Sequence, residues 1–257
     1  MSGSRGPQGF VSRYVFSLDH RVIGLQYLLT AMGLALVGGL LALIVRIQIA
    51  WPDHDFGLIS KILPRGFDEG VMKPEFYAAL FTMHGTIMIF FVLSAALIGG
   101  FGNYLIPLQV GAHDMAFPRL NALSYWIYAV SSVVMLSSFV APLGPAASGW
   151  TAYPPLSALK AAIPGSDLGQ DLWLVSMALF IVSFTLGGLN FLATILALRR
   201  PGLAMLELPL FTWSMLFVAI LGLLAFPSLT AAAVMLLMDR HAGTSFFIPM
   251  GLVVSGD

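Results

Sequence analysis

Residues 76–106 read FYAALFTMHGTIMIFFVLSAALIGGFGNYLI, a run of 31 positions that contains no Asp, Glu, Lys or Arg. About 20 consecutive apolar residues are enough for a helix to cross a bilayer. A segment that lies in lipid must satisfy its backbone hydrogen bonds internally, because hydrocarbon offers no partners. This stretch therefore predicts a membrane-spanning helix and not a strand.

Four further segments have the same character, and none of them carries a charged side chain. They are residues 22–45, 120–143, 172–198 and 208–238. Each reaches the length needed to span a bilayer. We therefore predict an all-α polytopic membrane protein of five transmembrane helices, with residues 1–257 forming a single membrane domain.

Composition supports the same class of protein. The chain is 58% hydrophobic and only 9% charged, which is too little charge to cover a surface that faces water. The formal net charge is zero, so nothing favours nucleic-acid binding. The absence of cysteine excludes disulfides, thiolate metal sites and cysteine nucleophiles. The first apolar run is longer than the core of a secretory signal peptide, which predicts a retained first span.

Because successive spans alternate in direction, the connecting segments can be assigned to two faces of the membrane. Face one holds the N-terminus and the turns 107–119 and 199–207. Face two holds residues 46–75, 144–171 and 239–257. Lys and Arg divide evenly between the faces, six on each, so the positive-inside rule alone does not orient the chain.

His84 is the most informative polar residue in the spans. It lies about eight residues into the second span, or about 12 Å below face two. A polar side chain at that depth must be paired or bound. It is either hydrogen-bonded to a neighbouring helix or a metal or heme ligand, and Gly85 beside it leaves room for a flat macrocycle. If His84 is one of a pair of histidine ligands, its partner is expected at a similar depth and from outside this chain. The other four histidines lie outside the predicted spans: His20, His54, His113 and His241.

Arg46 ends the first span on face two, the same side as His84. Its side chain either extends to the interface, as long cationic side chains do at helix ends, or contacts a buried polar group of a cofactor.

A second group of polar residues gathers near face one: Asn103, Asp114, Asn121, Ser183 and Asn190. Separately, each has an ordinary explanation, as a helix N-cap for the carboxylate and as interhelical hydrogen bonds for the amides. Together they favour a hydrated entrance with a carboxylate at its mouth, because carboxamides both donate and accept hydrogen bonds to water.

Several long stretches resemble subunit I of heme–copper cytochrome c oxidases, of the A-type, in order along the chain. They are 19–24 (DHRVIG), 81–91 (FTMHGTIMIFF), 101–107 (FGNYLIP), 111–121 (GAHDMAFPRLN), 149–157 (GWTAYPPLS), 187–191 (GGLNF) and 239–247 (DRHAGTSFF). The resemblance implies part of the catalytic subunit of a proton-pumping terminal oxidase, which reduces oxygen to water with electrons from cytochrome c. It also implies face one inside a bacterial cytoplasmic membrane, with the N-terminus and Asp114 on the cytoplasmic side.

The resemblance gives the polar residues specific roles. His84 matches one axial ligand of the low-spin heme, expected to be heme A, and Arg46 matches the arginine near its formyl group. Asp114 matches the entrance of a proton-uptake path. The polar residues that match positions along that path are Asn103, Asn121, Ser183 and Asn190.

The departures from this family are equally informative. The family's subunit has about twelve spans, and its copper ligands and high-spin heme ligand belong to later spans than these five. The resemblance therefore implies that this segment is not active alone and has as partners the rest of subunit I, a copper-bearing subunit II, cytochrome c and lipid. His113 and His241 stand where other residues are usual, and His113 could titrate near neutral pH and modulate proton entry.

Two alternatives remain open at this level. A quinol oxidase of the same superfamily shares these spans but takes electrons from membrane quinol. A heme-free transporter or channel is the remote alternative, because the five spans contain none of the carboxylates that coupled transport commonly uses.

Overall fold

A computed structural model of the chain describes residues 9–142, 144–160 and 167–248. Five helices in it are long and apolar enough to cross a membrane: α1 (His20–Ala50), α2 (Pro74–Val110), α3 (Pro118–Val140), α4 (Leu168–Ala197) and α5 (Leu210–His241). The predicted all-α architecture with five spans is therefore confirmed. The largest difference in bounds is at the end of α1, which continues to Ala50 instead of ending near residue 45.

The remaining elements are short and lie outside these helices. They are a wide turn Val11–Val15, a helical turn Leu58–Ile62, the 3₁₀ turns Pro64–Gly66 and Met205–Glu207, and the antiparallel pair β1 (Phe67–Asp68) and β2 (Val71–Met72). The last turn of α3, Ser138–Val140, is also 3₁₀. None of these interrupts a membrane span.

Local sequence determines where the helices begin and end. The Asp19 side chain accepts a hydrogen bond from the backbone N–H of Arg21 and so caps α1. Proline occupies the first position of both α2 and α3, where its missing N–H costs nothing. Helix α2 ends at Val110, and the following Gly111 has a φ of +72°, the left-handed conformation that glycine adopts most easily.

Helix α2 changes its geometry halfway along. Its turns widen to a π-helical pattern over Ile87–Gly102, and the Ser94 hydroxyl donates to the carbonyl of Ile89, five residues earlier. Such wide turns are uncommon and often accompany functional sites. The widened segment begins three residues after His84.

Helix α1 packs along α2, α3 along α4, and α4 along α5. Glycines permit the closest approaches: a Cβ on Gly24 would lie only 2.9 Å from the carbonyl oxygen of Gly100. Helix α5 is the least buried of the five and exposes large apolar side chains such as Leu221 and Leu224. An apolar face of this kind fits a place within a larger bundle.

Candidate functional site

His84 lies where α1 and α2 are in close contact. Its Nδ1 is 2.9 Å from the carbonyl oxygen of Gly38 on α1, and its side chain is only half-buried. Since a carbonyl only accepts, Nδ1 must carry the proton, and Nε2 of the neutral ring is left with a free lone pair. Within the described residues, Nε2 has no hydrogen-bond partner. The ring is therefore held in one orientation with its other nitrogen available for a ligand.

Gly85 lies next to the side chain of Trp150. A Cβ at this position would lie 3.4 Å from Cδ1 of Trp150, which comes from the loop between α3 and α4. The glycine thus allows the indole to lie close to α2 at the level of His84. On this side of α2 the indole of Trp150 occupies the space beside Gly85.

Arg46 does not meet His84 directly. It is exposed, and it follows Gly38 by eight residues along α1, a rise of about 12 Å toward face two. A fully extended arginine spans about half of that distance. The two residues therefore lie on the same side of the membrane at different depths.

Two of the three asparagines predicted at face one are buried and incompletely bonded. Asn103 is 1% exposed and Asn121 is fully buried. The Asn103 amide donates to the carbonyl of Gly99 at 2.6 Å, but its Oδ1 has no protein partner in the described part of the chain. Neither Nδ2 nor Oδ1 of Asn121 has one. Buried amides in this state are usual binding sites for ordered water.

Asn190 has a different role from the other two amides. Its Oδ1 accepts from the backbone N–H of Phe117 at 2.9 Å, and its Nδ2 donates to the Phe117 carbonyl at 3.2 Å. Thr194, one turn later on α4, accepts from the N–H of Ala116 at 3.0 Å. Both side chains fix the turn between α2 and α3.

That turn carries Asp114, which is partly exposed. Its Oδ1 accepts from the N–H of Met115 at 2.7 Å, an interaction between sequence neighbours. The N-cap of α3 is Phe117, which makes no side-chain capping bond. The interpretation of Asp114 as a helix cap is therefore wrong, and its carboxylate lies in a turn that Asn190 holds in place.

Ser183 is joined to Tyr27 and Ser124, two residues that were not predicted from the sequence. Its hydroxyl donates to the carbonyl of Ser124 at 2.6 Å and lies 3.3 Å from the hydroxyl of Tyr27, which in turn donates to the Ser124 hydroxyl at 3.1 Å. A small cavity of about 10 Å³, close to the volume that one water needs, lies between Tyr27, Asn103 and Ser183.

We refer to the buried polar residues near face one as the polar network; its members are Tyr27, Asn103, Asn121, Ser124, Ser183 and Asn190. A further residue borders it. His20, which was expected to precede the first span, is the buried first residue of α1, and its Nδ1 donates to the carbonyl of Asn103 at 2.8 Å. The network is therefore tied to the start of α1.

None of the remaining histidines belongs to the polar network or contacts His84, although His113 is the sequence neighbour of Asp114. His113 and His54 are exposed, and His241 lies between Asp171 and Lys160 at face two, with Nε2 2.9 Å from Oδ2 and Nδ1 3.0 Å from Nζ. No group of three or more His, Asp or Glu side chains that could hold a metal ion occurs in the described residues.

The fold and its buried polar groups define a polytopic helical membrane protein. Comparison with known proteins specifies it further: the family model described as cytochrome c and quinol oxidase polypeptide I matches residues 22–256. The chain belongs to this family, the subunit I of heme–copper oxidases, and the family predicted from the sequence motifs is confirmed.

Individual relatives agree with this assignment. The chain is 45% identical over 243 residues to the alternative cytochrome c oxidase subunit 1 of Bradyrhizobium diazoefficiens, covering 95% of this chain and 39% of the relative. It is 43% identical over 236 residues to cytochrome c oxidase subunit 1 of Thermostichus vulcanus, covering 92% and 39%. It is also 43% identical over 248 residues to the heme–copper oxidase subunit I+III of Aeropyrum pernix, covering 96% and 28%. The chain thus spans about two fifths, or less, of the length of these relatives.

Proposed function

We propose that this chain is part of the catalytic subunit of a proton-pumping terminal oxidase, in which it holds one side of the low-spin heme and forms the entrance of a proton-uptake path. The electron donor we propose is cytochrome c, because relatives with 42–45% identity are named cytochrome c oxidases. The partners are the rest of subunit I, a copper-bearing subunit II and lipid. Copper and the high-spin heme belong to parts of the oxidase beyond these five helices.

The hydrogen bond between His84 and Gly38 is the observation that carries the heme assignment. Histidines that bind a metal through one ring nitrogen usually donate the other N–H to a backbone carbonyl or a carboxylate, which fixes the tautomer and the ring orientation. His84 has this second contact and leaves Nε2 available at a depth where an unpaired polar atom is costly. These features fit an axial heme ligand.

When bound, the heme would supply the one-electron carrier. The protein would contribute the imidazole of His84 and, nearer face two, the cation of Arg46. Arg46 lies about 12 Å beyond the level of Gly38 along α1. Its guanidinium would therefore suit a contact with a polar substituent of the heme and not with the imidazole of His84. Trp150, packed against Gly85, would lie beside the same region.

The polar network supports the second half of the proposal. Asp114 offers a carboxylate to water at face one. The amides of Asn121 and Asn103 have hydrogen-bonding atoms without a partner among the protein groups that the structure describes. Ordered waters bound to those atoms would connect the turn with the hydroxyls of Ser183 and Tyr27. Such a chain of waters and hydroxyls can pass protons, while the apolar surroundings exclude other ions. In this arrangement face one is the cytoplasmic side.

One experiment tests the oxidase function directly. The membrane complex that contains this chain is purified, and its pyridine hemochrome spectrum and its oxygen consumption with reduced cytochrome c or with ubiquinol are measured. We expect the spectrum of heme A and turnover with cytochrome c. A complex without heme would contradict the oxidase proposal, and turnover with ubiquinol alone would replace cytochrome c by a quinol donor.

A further inference from the structure

Four buried aromatic rings, one from each of the helices α1 to α4, meet at the centre of the bundle. They belong to Tyr27, Phe91, Tyr128 and Phe180, and none is more than 3% exposed. The ring centroids of Tyr27 and Tyr128 are 5.1 Å apart, as are those of Phe91 and Phe180, and Tyr128 stacks on Phe91 at 6.1 Å. We refer to these four residues as the ring layer.

The polar network reaches the ring layer from face one. Ser124 precedes Tyr128 by one helical turn on α3, and Ser183 follows Phe180 by nearly one turn on α4. Both serines bond to the hydroxyl end of Tyr27, whose ring belongs to the layer. The hydroxyl groups of the network therefore end where the rings begin.

Other buried hydroxyls begin immediately on the opposite side of the layer. Ser131 lies one turn beyond Tyr128 and Ser176 one turn beyond Phe180. Each hydroxyl donates to the other residue's carbonyl, at 2.8 Å from Ser131 and 2.6 Å from Ser176. The step from Ser124 to Ser131 is seven residues, or only about 10 Å along α3.

From Ser176 the polar groups continue to face two. The Nε1–H of Trp173 donates to the hydroxyl of Thr86 at 2.9 Å, which donates to the carbonyl of Thr82 at 2.9 Å. The Thr82 hydroxyl accepts from the N–H of Gly149, in the loop at face two, at 3.0 Å. We refer to this set as the outer column; its members are Ser131, Ser176, Trp173, Thr86 and Thr82.

We propose that the ring layer is a proton seal that separates the polar network from the outer column. The inference rests on the proposed proton-uptake path, since a path open from one face to the other would dissipate the gradient that the oxidase builds. Close-packed rings leave no volume for water, which needs both space and polar partners. The hydroxyl of Tyr128 is directed to the carbonyl of Phe91 at 2.7 Å, so its proton is engaged with the backbone.

A proton seal and ordinary core packing predict different effects on proton flux when one of the rings is replaced. If the rings only pack the core, a smaller residue lowers the stability of the protein and leaves the passive proton flux across the membrane unchanged. If they seal, replacing a ring by a small polar side chain admits water between two sets of hydroxyls about 10 Å apart, and protons cross without turnover. Phe180 is the best position for a test because its side chain makes no hydrogen bond that the substitution would remove.

The test uses the complete oxidase complex reconstituted into liposomes that enclose a pH dye, with no electron donor present. A potassium diffusion gradient drives protons inward, and passive proton flux is recorded. We expect Phe180→Ser to raise this flux about tenfold or more and the apolar control Phe180→Leu to leave it near that of the unmodified complex. Equal flux in the two variants would overturn the seal.

Two additions separate this inference from the proposed path. Combining Asp114→Asn with Phe180→Ser should remove most of the leak if protons enter at the turn; a leak that persists would support the seal while contradicting Asp114 as the entrance. If Asp114→Asn abolishes proton uptake during turnover while the Phe180→Ser complex shows no increase in passive proton flux, the proposed path would stand. The seal would then be overturned. If Phe180→Ser does not assemble, Phe91→Ser with the control Phe91→Leu replaces it.

Discussion

The guanidinium of Arg240 and the carboxylate of Asp171 form an ion pair with 2.5 Å between Nε and Oδ1, and the arginine side chain is fully buried while the aspartate is 14% exposed. Arg240 also donates to the carbonyls of Ser157 and Asp167, each at 2.9 Å. The Arg240 side chain therefore joins the end of α5 to the beginning of α4 and to the loop before α4.

Asp171→Asn should destabilise the protein strongly, because it removes the charge of the carboxylate that pairs with a buried guanidinium. Breaking a buried ion pair by removing one partner costs about 3–5 kcal/mol. The measurement is thermal unfolding of the purified complex in detergent. Asp53→Asn, the same chemical change at an exposed loop position, serves as the control and should have an effect within about 0.5 kcal/mol. Equal stability of the two variants would contradict the structural role of the pair.

His84→Gly should remove the low-spin heme signal from the difference spectrum of the complex, since it removes the imidazole nitrogen that would bind the iron. Added imidazole should restore part of the signal by occupying the space of the lost ring. His54→Gly removes an exposed loop histidine and should leave the spectrum unchanged. A low-spin signal that survives in His84→Gly without imidazole would rule out the ligand assignment.

Asp114→Asn should slow proton uptake by roughly 100-fold while leaving the heme content unchanged, because the amide cannot take up and release a proton. Stopped-flow uptake with a pH dye measures the rate. Glu207→Gln alters another carboxylate at face one, which caps a 3₁₀ turn by accepting from Ala204 N–H, and is the matched control. If both variants take up protons at the unmodified rate, the entrance lies elsewhere.

Gly24→Ala and Gly33→Ala should change stability in opposite directions, although both glycines lie in α1. A Cβ at residue 24 would be 2.9 Å from the Gly100 carbonyl and 3.2 Å from the Tyr104 backbone nitrogen, whereas nothing lies within 4 Å at residue 33. We expect Gly24→Ala to cost about 1–3 kcal/mol through displacement of α2. Gly33→Ala should gain about 0.5–1 kcal/mol from helix propensity. Unfolding of the complex measures both.

The five spans were predictable because long uncharged apolar runs have few structural alternatives. Their ends were less predictable: α1 continues through Arg46 and Gln48, polar side chains that a helix carries easily once it reaches the interface. The widening of α2 at Ile87–Gly102 has no sequence signal that we recognise.

The candidate sites were partly predictable for a similar reason. His84 and the asparagines stand out because their polarity conflicts with the surrounding hydrocarbon. Tyr27 and Ser124 were missed because tyrosine and serine are common in membrane helices, and only the contact across 97 positions of sequence reveals them as partners. His20 was placed outside the span because it begins the helix, although it is 3% exposed.

The hydrogen bond between His84 and Gly38 affects the electron-donating strength of the imidazole as well as its orientation. A carbonyl that accepts the imidazole N–H makes the opposite nitrogen a stronger electron donor, and donor strength at an axial position lowers the reduction potential of an iron that it binds. Because the carbonyl belongs to α1 and the ring to α2, a small shift between these two helices would change that donor strength. If His84 binds the heme as proposed, the spacing of α1 and α2 would influence how readily the heme accepts an electron.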